Sequence, residues 1–292
     1  MTHPIPFTYS SLRSSPLDAP GKARDKNERG RVLAVIGSPE VPGAAILSGE
    51  ACLRAGAGKI QIALDAFMCP ALGMAFPECG LIPLETRAGD FEWLIEASSK
   101  ADAVLIGPGL TDEDATRKVV HTLLSTQSDA TLVIDALALK ALADAHPTNR
   151  RRIVITPHHG ELADMTGQEK SVIDIDPLGS ARRTAAKMGC LIILKDSTTY
   201  VVAADGTAWV HHEGVPGLGT SGSGDVLAGM LTGLIASGID ENHAALWSVA
   251  THAEAGRELS NEVAVTGFLA RDLLHLISGL LHPKLSSVTS VT

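Results

Sequence analysis

Short runs of unbroken apolar residues, each stopped by glycine, proline or a polar group, recur along the chain with helix-favouring stretches between them. Residues 31–36 (RVLAVI) read as a buried strand that stops at Gly37-Ser38-Pro39. Residues 59–64 (KIQIAL) form a second such run, and 103–106 (AVLI) a third, broken by Gly107-Pro108-Gly109. Residues 131–134 (TLVI) end on Asp135, 153–155 at Thr156-Pro157, and 191–194 (LIIL) on Lys195. Runs at 199–203 and 207–210 flank Asp205-Gly206, a hairpin turn signal. Small residues from 43 to 57 predict a helix, and helical patterns fill 177–188, 225–237, 241–259 and 267–280. Strands alternating with helices predict an α/β fold with a mostly parallel sheet and helices on both faces. Ligands in such sheets sit beyond the carboxyl ends of the strands. The strand-ending residues Gly37, Gly107, Asp135, Thr156 and Lys195 are therefore expected to converge on one site.

The pattern changes at the two ends. Residues 1–28 are rich in Pro, Ser and charge and are expected to form an arm, followed by a single domain over 29–282 and a flexible tail over 283–292. An arm that buries too little to offset its own ordering is expected to lie on a neighbouring subunit in a homo-oligomer.

Composition narrows the function. Aromatic residues make up only 3% of the 292, so the core must rest on small and aliphatic side chains. The net charge of −9 argues against a nucleic-acid or anionic-membrane partner. Cys52, Cys69, Cys79 and Cys190 have no zinc-like spacing and read as reduced thiols, which predicts a cytoplasmic protein. The first residues lack the charged start and apolar run of a secretion signal, and no segment is long and apolar enough to predict a membrane span.

The densest chemistry lies at 217–225 (GLGTSGSGD), where four glycines fall in nine residues just before an apolar helix. Glycines allow left-handed turns and close approach of a ligand, and a helix start offers free N–H groups to an anion. No Lys-Ser/Thr follows, so the loop is not a Walker A motif. Asp225 repels phosphate unless it takes a proton from an attacking hydroxyl; otherwise it is an N-cap. Valine at 224 is expected to resist a positive φ and to fill phosphate space. Residues 156–162 (TPHHGEL) offer His158 to a substrate and Glu161 to a hydrated Mg²⁺, or simply begin a helix with a dipole-favourable glutamate. Lys195-Asp196-Ser197-Thr198-Thr199 can grip a nucleotide or serve as a polar loop. Gly107-Pro108-Gly109 is a ligand approach or a sharp turn, and small residues after Pro42 clear room for a ligand or pack a helix. His211, His212, His243 and His252 show no chelating pattern and read as surface or satisfied core residues.

Taken together, 29–59, 102–110 (DAVLIGPGL), 156–165 (TPHHGELADM), 194–202 (LKDSTTYVV) and 217–231 (GLGTSGSGDVLAGML) resemble the NAD(P)H-hydrate dehydratase family of the ribokinase-like superfamily. The likeness spans about residues 25–280. It implies a ribokinase-like fold and nucleotide-dependent repair of hydrated NADH and NADPH, with ADP as phosphoryl donor in the bacterial type (ATP in eukaryotic members) and Mg²⁺. By motif, Ala44, Gly109, His158 and Asp225 contact the hydrated dinucleotide, with Asp225 catalytic. Lys195, Asp196, Ser197, Thr198, Thr199, Gly222, Ser223 and Gly224 serve the nucleotide, and Glu161 holds the metal through water. The resemblance also implies a homotetramer and a separate epimerase as functional partner, because the chain has no room for a fused one. Two departures stand out: Leu137 replaces the second aspartate of the family's DADAL, and Ser221 replaces a glycine.

Two other readings share the glycine-rich loop. A vitamin-precursor kinase of the same superfamily, such as a hydroxyethylthiazole kinase, would leave a stable phosphorylated product. A regulatory protein would bind nucleotide without turnover.

Overall fold

The computed structural model describes residues 3–14, 17, 28–84, 91–143 and 152–282, so the tail at 283–292 lies outside the described residues. Among the described residues ten strands form one sheet: β1 (Ile5–Pro6), β2 (Arg31–Val35), β3 (Lys59–Asp65), β4 (Gly80–Leu84), β5 (Ala103–Ile106), β6 (Thr131–Ile134), β7 (Ile153–Ile155), β8 (Leu191–Leu194), β9 (Thr199–Val202) and β10 (Ala208–His211). Their order is β1-β10-β9-β8-β7-β6-β5-β2-β3-β4. All pairings are parallel except the two that flank β9, which turns back through the predicted Asp205-Gly206 hairpin. There Thr207 N–H donates to Asp205 Oδ1 at 2.8 Å, and Gly206 takes φ +88°.

The chain moves outward from β2 to β4, then returns across β2 and runs from β5 to β8. The carboxyl ends of β2 and β5 are thus the switch point where such sheets hold ligands. There Gly37 N–H donates to Pro108 O at 2.8 Å, tying the two strand-end loops together.

Alternation of side chains feeds two cores. Val32, Ala34, Leu105 and Val133 face one layer with helices Gly43–Arg54, Ser223–Ala236, Glu241–Glu262 and Ala270–Leu281. Leu33, Val35, Ile106 and Ile134 face the other, with helices Glu113–Ser125, His159–Thr166 and Pro177–Met188. Helix Ser223–Ala236 is apolar and almost wholly buried. It lies so close to helix Gly43–Arg54 that a Cβ on Gly229 would fall 2.2 Å from Ser48 O, and one on Gly233 2.3 Å from Cys52 O. Such backbone-to-backbone packing is how a chain poor in aromatics still fills its core.

The start of the expected arm lies on its own chain. Ile5 and Pro6 pair with β10, Phe7 is buried, and Tyr9 Oη donates to Leu280 O at 2.6 Å while its ring meets Trp247 edge-on. Strand β4 was not predicted. It contains Pro83, which cannot donate to a ladder, and its place at the sheet edge removes that need.

Candidate active site

Three strand ends and one helix start build the site. Asp135 follows β6, Thr156 follows β7 and Lys195 follows β8. The Asp135 carboxylate, 2% exposed, accepts from Thr156 Oγ1 at 2.7 Å and from Lys195 Nζ at 2.8 Å. Ala136, with φ +49°, lets the chain turn away directly behind it. Lys195 Nζ also lies 3.9 Å from Glu161 Oε2. Burial pulls the Lys195 pKa down, but Asp135, Glu161 and Asp225 more than offset that and raise it above its ordinary value. Its ammonium thus stays charged amid three carboxylates.

Gly222 caps helix Ser223–Ala236 with φ +87°, a backbone that strongly favours glycine. Asp225 is the third residue of this helix and not its cap, and no side chain caps the helix. The capping role for Asp225 is therefore corrected. The reason expected for Gly224 is corrected too: only Gly222 carries a positive φ in this loop, whereas Gly224 lies in the helical first turn. What Gly224 supplies is space, since a Cβ there would sit 3.5 Å from Lys195 Nζ. The Asp225 pKa is pushed up to about 6, first by burial and then by the Asp135 charge, against a smaller opposing pull from Lys195. A helix start should favour its ionised form. Burial outweighs that.

Glu161 and His158 form a capping box on helix His159–Thr166. His158 Nδ1 accepts from Gly160 N–H at 3.0 Å and Glu161 N–H at 3.2 Å, while Glu161 Oε2 accepts from His158 N–H at 2.8 Å. With Nδ1 occupied as an acceptor, neutral His158 carries its proton on Nε2. That edge is available to a substrate, and the side chain is 60% exposed.

A cavity of about 580 Å³ opens beside Lys195 and Gly224. His158, Asp196, Ser197, Thr199 and Ser223 line it, as does an apolar wall that includes Val215, Leu218, Leu227 and Val249. Thr198 stands apart: its hydroxyl meets His212 Nδ1 at 3.3 Å, and it does not line the cavity. Gly222 lies behind the loop, against Leu47. Ala44 and Gly109 meet at the switch point instead, where a Cβ on Gly109 would come within 2.5 Å of Ala44 Cβ. The expected residues thus separate into a cavity group and a switch-point group. The sequence alone does not reveal the apolar wall and leaves His252 among surface or satisfied core residues, because Val215, Leu218, Val249 and His252 look ordinary until the fold brings them together.

Among the described residues no group of three or more His, Cys, Asp or Glu is set to hold a metal ion. Glu161 keeps Oε1 outside its capping bond. This donor set fits a hydrated Mg²⁺ carried on phosphate oxygens better than a protein-enclosed one.

A family model described as NAD(P)H-hydrate dehydratase matches residues 32–278. The chain is 44% identical over 279 residues to the ADP-dependent (S)-NAD(P)H-hydrate dehydratase of Xanthomonas campestris, covering 94% of this chain and 95% of the relative. It is 35% identical over 257 residues to the bifunctional NAD(P)H-hydrate repair enzyme of Moorella thermoacetica, of which it spans about half (48%). The crystal structure of the ADP/ATP-dependent NAD(P)H-hydrate dehydratase from Bacillus subtilis, co-crystallised with ATP and Mg²⁺, superposes with a TM-score of 0.85 at 27% identity, covering 96% of this chain and 98% of that one. The chain belongs to the NAD(P)H-hydrate dehydratase family.

Proposed function

We propose that this protein is an ADP-dependent NAD(P)H-hydrate dehydratase. The observation that carries the reading is a partly buried aspartate at an uncapped helix start, next to a lysine set among carboxylates and a nucleotide-sized cavity. Family membership supplies the substrate class.

The nucleotide lies in the cavity, its phosphates on the first turn of helix Ser223–Ala236. The N–H groups of that turn and the Lys195 ammonium stabilise charge on the transferring phosphoryl group. Asp196, Ser197, Thr199 and Ser223 line its path. Thr198 belongs to the same loop and holds it against His212, while Gly222 sets the turn. The hydrated dinucleotide approaches from the switch point past Ala44 and Gly109, with His158 Nε2–H as a donor to it.

Asp225 orients the C6 hydroxyl and takes its proton as the oxygen attacks the terminal phosphorus of ADP. The bond from that phosphorus to the AMP oxygen breaks, and AMP leaves. A loose phosphoryl-transfer transition state needs positioning more than basicity. A carboxylate with a pKa near 6 is ionised at neutral pH and still a better base than an ordinary aspartate. The C6–O bond then breaks with the pair on phosphate, pushed by the ring nitrogen, and loss of the C5 proton restores the nicotinamide. Mg²⁺, held through water by Glu161, would neutralise charge on the phosphates.

A homotetramer is part of this proposal. Phe67 and Met74, 87% and 86% exposed at one edge of the sheet, are apolar groups that an assembly would cover. Light scattering during gel filtration tests it, and a single-chain mass overturns it. A cytoplasmic site fits the four free thiols. Partnership with a separate epimerase is part of the same proposal: the Moorella relative is named bifunctional, and this chain spans about half of it.

Incubation with hydrated NADH and either ADP or ATP, followed by the near-ultraviolet absorbance of the reduced ring, tests the activity. A nucleotide-dependent rise is expected. A stable phosphorylated vitamin precursor would favour the kinase reading, and nucleotide binding without turnover the regulatory one.

A further inference from the structure

His252 sits on helix Glu241–Glu262, and its ring lines the same cavity as Lys195 and Gly224. Its Nε2 lies 3.0 Å from Ser223 O and 2.9 Å from Ser223 Oγ. A backbone carbonyl can only accept, so Nε2 must carry the proton. Burial pushes the His252 pKa down to about 4, the Ser223 carbonyl opposing this only in part, so the ring is neutral at physiological pH and has a single N–H. That N–H is shared between the carbonyl and the hydroxyl of one residue. Ser223 Oγ is therefore an acceptor toward His252, and its own hydrogen must point elsewhere. Ser223 is the first residue of helix Ser223–Ala236, beside the Gly224 and Asp225 N–H groups that no side chain caps. Its backbone N–H is already bonded to Thr220 O at 3.2 Å.

We propose that His252 is a positioning residue for the nucleotide: by gripping Ser223 through both carbonyl and hydroxyl, it turns the Ser223 hydroxyl into a donor aimed at a nucleotide phosphate. A serine hydroxyl left to rotate spends part of its time as an acceptor, which phosphate repels. A partly buried imidazole with a fixed tautomer removes that freedom before the nucleotide arrives. It also ties the first turn of the phosphate-binding helix to a second helix, 29 residues further along the chain. The proposal rests on the nucleotide reading of the cavity given above.

The test is calorimetric titration with ADP and steady-state kinetics on wild type, His252→Phe, His252→Gln, Ser223→Ala and the His252→Phe/Ser223→Ala pair, each checked for cooperative melting. His252→Phe should weaken ADP binding by about tenfold, with the loss falling on KM for ADP and kcat changing by less than about threefold. His252→Gln, whose amide N–H can reach Ser223, should bring affinity back to within about threefold of wild type. Ser223→Ala alone should weaken ADP by about tenfold, yet by less than about twofold when added to His252→Phe, because the two residues act as one unit. Wild-type affinity in His252→Phe, or a full Ser223→Ala loss on top of it, overturns the proposal. If His252→Phe does not fold, the other single variants decide: Ser223→Ala binding as wild type overturns it, whereas its weakening with Gln tolerated supports it. A wild type that binds no ADP fails the nucleotide reading itself and the proposal with it, an outcome distinct from a wild type that binds while the variants do not differ.

Discussion

Two cavities of similar size sit on opposite ends of the sheet, against different strands. One, of about 580 Å³, lies beyond the carboxyl ends beside Lys195 and Gly224. The other, of about 540 Å³, lies at the amino ends of β2, β3 and β4, lined among others by Arg31, Lys59, Glu78 and Lys100. The second has more cationic residues, whereas the first has the uncapped start of helix Ser223–Ala236 in its wall. At the carboxyl ends helices begin, so Gly224 and Asp225 bring N–H groups and a positive dipole end. At the amino ends helices finish, and their free carbonyls are the negative end. Lys100 follows the last turn of helix Glu92–Ser99 and pairs with Glu96 on that helix. There it complements the dipole of its own helix. The two cavities thus differ in where their cations stand relative to helix ends, and not only in how many they have.

The comparison breaks most easily at Asp225. Replacing it with Asn should lower turnover by ~10²–10⁴-fold, the usual span for a general base, while ADP affinity is kept or improved because a charge near phosphate is gone. Steady-state rates and calorimetry on one preparation check both halves. Activity within about threefold of wild type would remove Asp225 from the chemistry.

Gly224→Val attacks the same end through space. Branched carbons there would crowd Lys195 Nζ and the phosphate path, so ADP affinity should fall by about tenfold or more in a protein that still melts cooperatively. Normal affinity would mean that this turn does not receive phosphate.

The pH dependence sharpens the picture. Asp225 titrates near 6 when folded and at its ordinary, lower value when unfolded. Its contribution to stability is therefore fully present below about pH 4 and lost as pH rises through about 6. Asp225→Asn should match wild-type stability near pH 4 and exceed it by up to about 3 kcal/mol at pH 8, read from denaturant melts. Turnover of the wild type runs the other way, falling as pH drops through about 6. Equal stability of wild type and variant at both pH values would mean that the carboxylate is not buried.

The smallest effect belongs to the amino-end cavity. Lys100→Ala should cost no more than about 1 kcal/mol of stability and change turnover by less than about threefold. A large loss of ADP binding would erase the distinction between the two ends.

Much of this was legible in the sequence because strand ends announce themselves. The runs at 103–106, 131–134, 153–155 and 191–194 are short, apolar and stopped sharply, and the strands observed there have those bounds. The residues that stop them, Gly107, Asp135, Thr156 and Lys195, all lie at the carboxyl ends of the strands. Asp225 and the glycines before it could be found because their density exceeds what a turn needs. Three things could not. Gly224 and Gly222 are both glycines, and only the folded backbone reveals that 222 carries the positive φ and 224 the open space. The role of Asp135 as acceptor for both Thr156 and Lys195 depends on three neighbouring strands lying side by side. His252 is 29 residues from Ser223, so no local pattern connects them.

The most direct test of the account counts products. Hydrated NADPH and ADP are mixed with wild type and with Asp225→Asn, and NADPH restored, AMP and inorganic phosphate are quantified together over the first turnovers. Equal amounts of all three are expected with wild type and almost none of any with the variant. NADPH restored without AMP, or AMP released while the reduced ring fails to return, would contradict it.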